Sequence, residues 1–223
     1  MNIRKTPLAT DQYYHIFSRS IAKYQIFNDD DDYYRILELL DMYRFAEFNH
    51  KYSRFKELEM MAQTAILNSL KKNNDVLVEI VAYCIMPTHF HLILKQKKDD
   101  GISKYIGKIL NSYTRYFNLK HHRNGPLWEG HFRNVLIEND NQLLHSTRYV
   151  HLNPSSAGLV DNPFDWPFSS LKEFCEEVNN PICLFKEIID MSPKRYKKFV
   201  LDQKSYQRDL ALIKNILIDN YSG

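Results

Sequence analysis

Cysteine is scarce in this 223-residue chain: there are three, Cys84, Cys175 and Cys183, with no C-x-x-C pair. An odd, dispersed set excludes a disulfide framework and a cysteine zinc cluster. It fits a reducing, cytoplasmic setting, which is the expected location. Long apolar runs are missing too. The longest, Ile80 to Met86, falls far short of the roughly 20 residues a spanning helix needs, so no membrane association is expected. The first residues, MNIRKTPLATDQYYHIF, lack the apolar core and cleavage pattern of a signal peptide. Internal repeats and low-complexity stretches are absent. Charge of one sign is also lacking: 30 Lys+Arg against 27 Asp+Glu leave +3, too little to argue for nucleic acid by itself. What the chain does have is apolar residues along its whole length, 44% of the total. That excludes disorder for most of it. Its 15 Tyr and 13 Phe suit either a base-stacking surface or an aromatic core.

The order of elements suggests a fold. Tyr13 to Ile21 reads as a strand. The acids of Asn28–Asp32 precede apolar positions 36, 37, 40, 43 and 45, the pattern of a helix whose N-terminal dipole favours negative charge. Residues 47–74 look like an amphipathic insertion, with Phe55, Leu58, Ala62, Ile66 and Leu70 at helical spacing. Residues 76–96 read as two strands broken at Met86-Pro87. Gly101 opens a helix that fades at 120–126. A strand at 134–138 comes next, then a helix at 141–152 that stops at Asn153-Pro154, and helices near 193–202 and 207–219. The order β-α-(insert)-β-β-α-β predicts an α+β, ferredoxin-like split βαβ domain: an antiparallel sheet with helices on one face. It covers 1–139 and continues through 140–172. A C-terminal helical extension of unassigned role takes 173–223.

Several residues could carry chemistry. His89 and His91 alternate with Phe90 on a strand, so both imidazoles face one side about 6.5 Å apart. They can reach one metal ion, or can be two surface histidines. Tyr113 lies on the apolar stripe of the 101–120 helix with Tyr116 one turn on, either core residues or something more. Residues 101–135 hold Lys104, Lys108, Arg115, Lys120, Arg123 and Arg133 against the single acid Glu129. This net +5 exceeds that of the whole chain and suits a phosphate-binding face, or a solvated helix surface. Asn118 could complete a two-histidine metal site or end its helix. Trp128 and Trp166 sit in Gly/Pro-containing loops, where they stack on bases or pack the loop down.

Four blocks then occur in order: YCIMPTHFHLIL (83–94), SYTRYFNLKHHRNGPLWEGHFRN (112–134), YVHLNPSSAGLV (149–160) and DWPFSS (165–170). Together they resemble the HUH single-tyrosine transposases, in the REP-associated tyrosine transposase branch, across residues 10 to 172. The resemblance implies that His89 and His91 ligate Mg²⁺ or Mn²⁺, with Asn118 a candidate third ligand. It implies that Tyr113 is the nucleophile, with Tyr116 the alternative. It implies metal-dependent cleavage and transfer of single-stranded DNA near hairpins through a 5′-phosphotyrosine, by a monomer or homodimer. Lys104, Lys108, Arg115, Lys120, Arg123, Arg133 and Trp128 would then contact DNA. Two alternatives stay open: an inert hairpin-binding regulator on the same fold, and a metal-dependent phosphodiesterase using water. Thr88 stands where the family usually has Asn, Ser155-Ser156 where Val-Arg is common, and His131 where Arg is usual.

Overall fold

The computed structural model of the chain describes residues 7–176, 178–179, 181–185 and 188–203. The expected helix at 207–219 lies outside them. The strands are β1 (Tyr13–Arg19), β2 (Val78–Met86), β3 (His89–Gln96) and β4 (Arg133–Ile137). The helices are α1 (Asp30–Tyr43), α2 (Tyr52–Lys56), α3 (Met60–Asn73), α4 (Gly101–Lys120), α5 (Asp140–Ser156), α6 (Leu171–Cys175) and α7 (Pro193–Leu201). The strands form one four-stranded antiparallel sheet in the order β2-β3-β1-β4. The α+β class and the split βαβ order are as expected. Contacts group the residues into two units. One runs to Glu79 and adds Pro87–His89 and Leu94–Leu136; the other takes Ile80–Met86, Phe90–Ile93 and the chain from Ile137 onward.

In the first unit, β1 alternates: Tyr14, Ile16 and Ser18 are buried while Tyr13, His15 and Phe17 are half-buried. The acidic run is a helix start. Asp29 caps α1 by accepting from the Asp32 amide, satisfying an orphan N–H at the positive end of the dipole. α4 buries one stripe, Ile102, Tyr105, Ile106, Ile109, Tyr113 and Phe117, each removal from water contributing roughly 1.5–3 kcal/mol. Tyr105 ties α4 to α1 by donating to the Leu40 carbonyl at 2.9 Å. Only glycine fits at 101, because any Cβ there would collide with the Leu77 carbonyl oxygen. The 47–74 insertion is less amphipathic than its spacing suggests. It breaks into α2 and α3; Phe55 and Leu70 are buried, but Leu58 is exposed, as are Met60 and Met61 at the start of α3.

In the second unit, the DWPFSS block lines β2. The Ile85 amide donates to the Phe168 carbonyl and the Leu184 amide to that of Ile80, both at 2.9 Å. The Trp166 indole N–H donates to the Ile85 carbonyl. α5 does not stop at Asn153-Pro154; it runs to Ser156 with Pro154 inside. Proline forfeits one backbone bond in the last turn, a smaller loss there than in mid-helix. The turn still closes through Ala157 N–H to the Asn153 carbonyl. Among the described residues no helix is long and apolar enough to cross a membrane.

Candidate active site

β3 faces two ways. Gln96 accepts from the Ile102 amide through Oε1, so even-numbered β3 residues point toward α4. Odd-numbered ones, His89 and His91 among them, point away. The register agrees. The Gln96 amide donates to the Gln12 carbonyl and the Ser20 amide to that of Thr88, which sets Arg19 opposite His89 and Tyr13 opposite Lys95. The Lys95 ammonium indeed lies 5.3 Å from the Tyr13 ring. Burial, with the Arg19 charge behind it, holds the His89 imidazole down to about 4. Burial alone does the same to His15, which lies on the Arg19 face of β1. His89 is therefore neutral at physiological pH, with a nitrogen lone pair on its ring. Its Nδ1 pairs with Thr88 Oγ1 at 2.9 Å, an outer contact of the kind that orients a ligating ring.

The tyrosines that the sequence nominated lie elsewhere. Tyr113 is 0% exposed. Its hydroxyl donates to the Ile26 carbonyl at 2.6 Å, and its ring packs on Phe27 at 4.9 Å. Burial, reinforced by Asp32, pushes the phenol far above its ordinary value. A nucleophile needs access and an easily lost proton; this hydroxyl has neither. Tyr116 donates to Asp32 Oδ1 at 3.0 Å, again on the α1 side, and burial followed by that bond raises its pKa. Both tyrosines belong to the α1–α4 packing, on the face away from His89.

The tyrosine beside His91 is on α5. The Tyr149 ring meets the His91 ring edge-on, with centroids 5.9 Å apart, and Tyr149 remains 36% exposed. One turn on, Asn153 is half-buried and donates from Nδ2 to the Tyr149 carbonyl at 3.0 Å. The sequence signal for this pair was present: Tyr149 and Asn153 stand at i and i+4 in the YVHLNP block, on one helical face.

α5 is fixed from below by a buried polar network. His151 is 0% exposed; its Nδ1 pairs with the Tyr196 hydroxyl and its Nε2 with Ser170 Oγ, both at 2.8 Å. Tyr196 also donates to Thr147 Oγ1 at 2.9 Å, and Ser170 Oγ accepts from the Tyr83 amide. Burial holds His151 neutral, down to about 3. Tyr196 lies on α7, so the described part of the extension supports the helix that carries Tyr149.

Other nominated residues have structural partners. Asn118 closes the 118–126 loop, donating to the Gly125 carbonyl and accepting from Arg123, so its amide is spent away from the histidines. Arg123 also donates to the Pro126 carbonyl. Lys120 binds Asp29 and Asp32 at 2.7 and 2.8 Å. Burial pulls its ammonium down, but these bonds outweigh that and hold it well above the lysine range. Trp128 is 8% exposed and donates to Thr114 Oγ1, so it packs its loop. Lys104 donates to the Asp99 carbonyl at 3.4 Å. Arg115 and Arg133 are exposed and Lys108 is half-buried. Among the described residues no three His, Cys, Asp or Glu side chains group as a metal cage. A cation held here would therefore need oxygen donors beside the imidazoles.

The sequence model of IS200-like transposases matches residues 9–153, more than half of the chain. A Haemophilus influenzae protein assigned as a REP-associated tyrosine transposase is 31% identical over 102 residues, which is 41% of this chain and 58% of that protein. This chain thus spans under two thirds of that relative. A solved REP-associated tyrosine transposase bound to a REP hairpin has a similar fold, with a TM-score of 0.56 and 19% identity over 86% of this chain and 96% of that one.

Proposed function

The chain belongs to the IS200-like transposase family, and on that premise we propose that it cleaves and rejoins single-stranded DNA with Tyr149 as the attacking residue. The observation that carries this reading is the edge-on contact of the Tyr149 and His91 rings, on a phenol that stays solvent-accessible.

His89 and His91 are the residues that would hold a divalent cation. His89, neutral at physiological pH, and His91 offer two ring nitrogens, and Mn²⁺ or Mg²⁺ takes its remaining donors as oxygens; bound, it would polarise the scissile phosphate. Asn153 can offer its amide oxygen on the same side of α5. Tyr149 Oη attacks phosphorus. The Oη–P bond forms, the P–O3′ bond breaks, the phenol proton goes to solvent or a base, and the departing O3′ is protonated. The product is a 5′-phosphotyrosine and a free 3′-OH. Because the phosphotyrosine is an activated ester, a 3′-OH can attack it in turn and restore a phosphodiester without ATP. The network beneath α5 holds the nucleophile in place, which is where orientation gains its rate. The hairpin in the solved relative supports structured single strands as substrates.

The test is a covalent-adduct assay. The full chain is incubated with labelled single-stranded hairpin oligonucleotides and Mn²⁺, then run on a denaturing gel. The expected adduct forms in wild type and in Tyr113→Phe and disappears in Tyr149→Phe. An adduct that survives Tyr149→Phe overturns the assignment. Cleavage without any adduct indicates a water nucleophile instead, and hairpin binding with neither indicates an inert binder.

A further inference from the structure

A second basic site lies in the first unit, on the α1–α4 side that carries none of the proposed chemistry. The outer surfaces of α1 and α4 and the start of the insertion, residues 48–53, enclose a cavity of about 470 Å³. That is within the roughly 300–1,000 Å³ of small-ligand sites. Its walls carry four basic side chains, Arg35, Lys51, Lys108 and Arg115, together with His50, and no carboxylate. None of the four takes part in an ion pair among the described residues. The nearby acid Glu38 is engaged by Lys56 at 3.1 Å.

Positive charge concentrated in a recess whose own lining carries no carboxylate is a site for an anion. The walls say more about which one. The Arg35 guanidinium lies over both the Tyr52 ring, at 5.1 Å, and the Tyr116 ring, at 4.8 Å. Held between two phenols, it is a rigid planar cation. Its N–H edge beside flexible cations suits a phosphate, and the aromatic rings of Tyr43, Phe48 and Tyr116 that line the same cavity suit the neighbouring base. Asn49 and Asn111 line the same cavity and can reach base-edge donors and acceptors. Lys108 reaches inward, donating to the Phe48 carbonyl at 3.3 Å, and burial lowers its pKa, as for a cation that no anion yet offsets.

We propose that this cavity binds an unpaired nucleotide of the single strand on which the protein acts. The inference rests on the DNA reading above and adds to it a docking point that the insertion helps to build. It gives the otherwise unexplained 48–53 segment a task. It also explains why two of the nominated basic residues, Lys108 and Arg115, converge here while Lys120 and Arg123 are engaged elsewhere.

The test is fluorescence anisotropy with a labelled hairpin oligonucleotide bearing a single-stranded overhang, titrated with the full chain at several salt concentrations. The variant is Lys51→Glu with Arg115→Glu, both at exposed positions; unchanged circular dichroism and melting temperature certify its fold. The expected result is at least a tenfold loss of affinity and a log–log salt slope shallower by about 1.4, the loss of two phosphate contacts on a single strand. Unchanged affinity overturns the proposal. If 2′-deoxyadenosine 5′-monophosphate binds while the variant's oligonucleotide affinity stays intact, the site is for free nucleotides and the proposal also fails. The adduct assay separates this inference from the catalytic one. A Tyr149-dependent adduct with normal binding by the variant refutes only the cavity; weakened binding with no adduct in wild type refutes only the chemistry.

Discussion

Helices α4 and α5 each present tyrosine next to polar residues, and the fold treats them in opposite ways. On α4, Tyr113 is sealed against a backbone carbonyl, and half-buried Tyr116 is tied to a buried carboxylate. On α5, Tyr149 lies edge-on to His91 and remains open to solvent. Both α4 phenols do structural work: Tyr113 satisfies its hydroxyl inside the core, as a buried polar group requires, and half-buried Tyr116 spends its hydroxyl on Asp32. The open one keeps its ring only partly removed from water. A solvent-accessible tyrosine whose ring meets a histidine of an i, i+2 pair is where chemistry is expected. The comparison teaches that residue type and helical periodicity do not separate a packing tyrosine from a reacting one. Access and neighbours do.

That contrast can be broken by substitution. The largest effect expected is on the support of α5. Tyr196→Ala removes a fully buried ring and leaves His151 and Thr147 short of a partner, so stability should fall by about 3–5 kcal/mol in denaturant unfolding. A loss under 1 kcal/mol would mean that α7 does not hold α5. Next, His91→Ala should slow metal-dependent adduct formation by at least about 100-fold, near 3 kcal/mol of barrier, with melting temperature little changed. Equal activity in this variant would remove the histidine from the site. Tyr113→Phe should do the reverse: it leaves the Ile26 carbonyl unpaired, costs roughly 1–3 kcal/mol of stability, and leaves the adduct rate within a few-fold of wild type.

The smallest and most diffuse effect is on pH. His15, His89 and His151 are held neutral by burial, down to about 4, 4 and 3. In the unfolded chain they take up protons near 6.5. Below that pH the unfolded state binds more protons than the folded one, so stability is full above about 6.5 and falls as the pH drops toward 4. The slope approaches about 1.4 kcal/mol per pH unit per histidine. Thermal melts from pH 7.5 to 4.5 check this; a flat profile would mean that these imidazoles are not buried as neutral groups. His151→Phe should flatten the profile by one histidine's share.

Much of the architecture was legible along the chain. The i, i+2 histidines, the Met86-Pro87 break, the acidic start of α1 and the 101–120 stripe all depend on neighbours a few residues apart, and strand and helix periods encode such relations directly. The insertion was less legible. Its spacing resembles an amphipathic helix, but spacing does not say whether a partner surface exists, and Met60 and Met61 have remained in solvent. The end of α5 departs from expectation for a related reason: Pro154 is a stop signal in isolation, yet the packing of Val150, His151 and Leu152 carries the helix past it.

By itself, then, the sequence determined the class of fold, the histidine pair and the family blocks, because local periodicity and short-range order write these. Only the tertiary structure decided which tyrosine reaches His91 and which basic residues converge on one recess. Tyr113 and Tyr149 are alike as residues. They differ in whether a carbonyl from residue 26 or a ring from residue 91 stands opposite, and contacts at that separation are made by the packing of elements, through burial and hydrogen-bond satisfaction, and not by neighbouring residues in the chain.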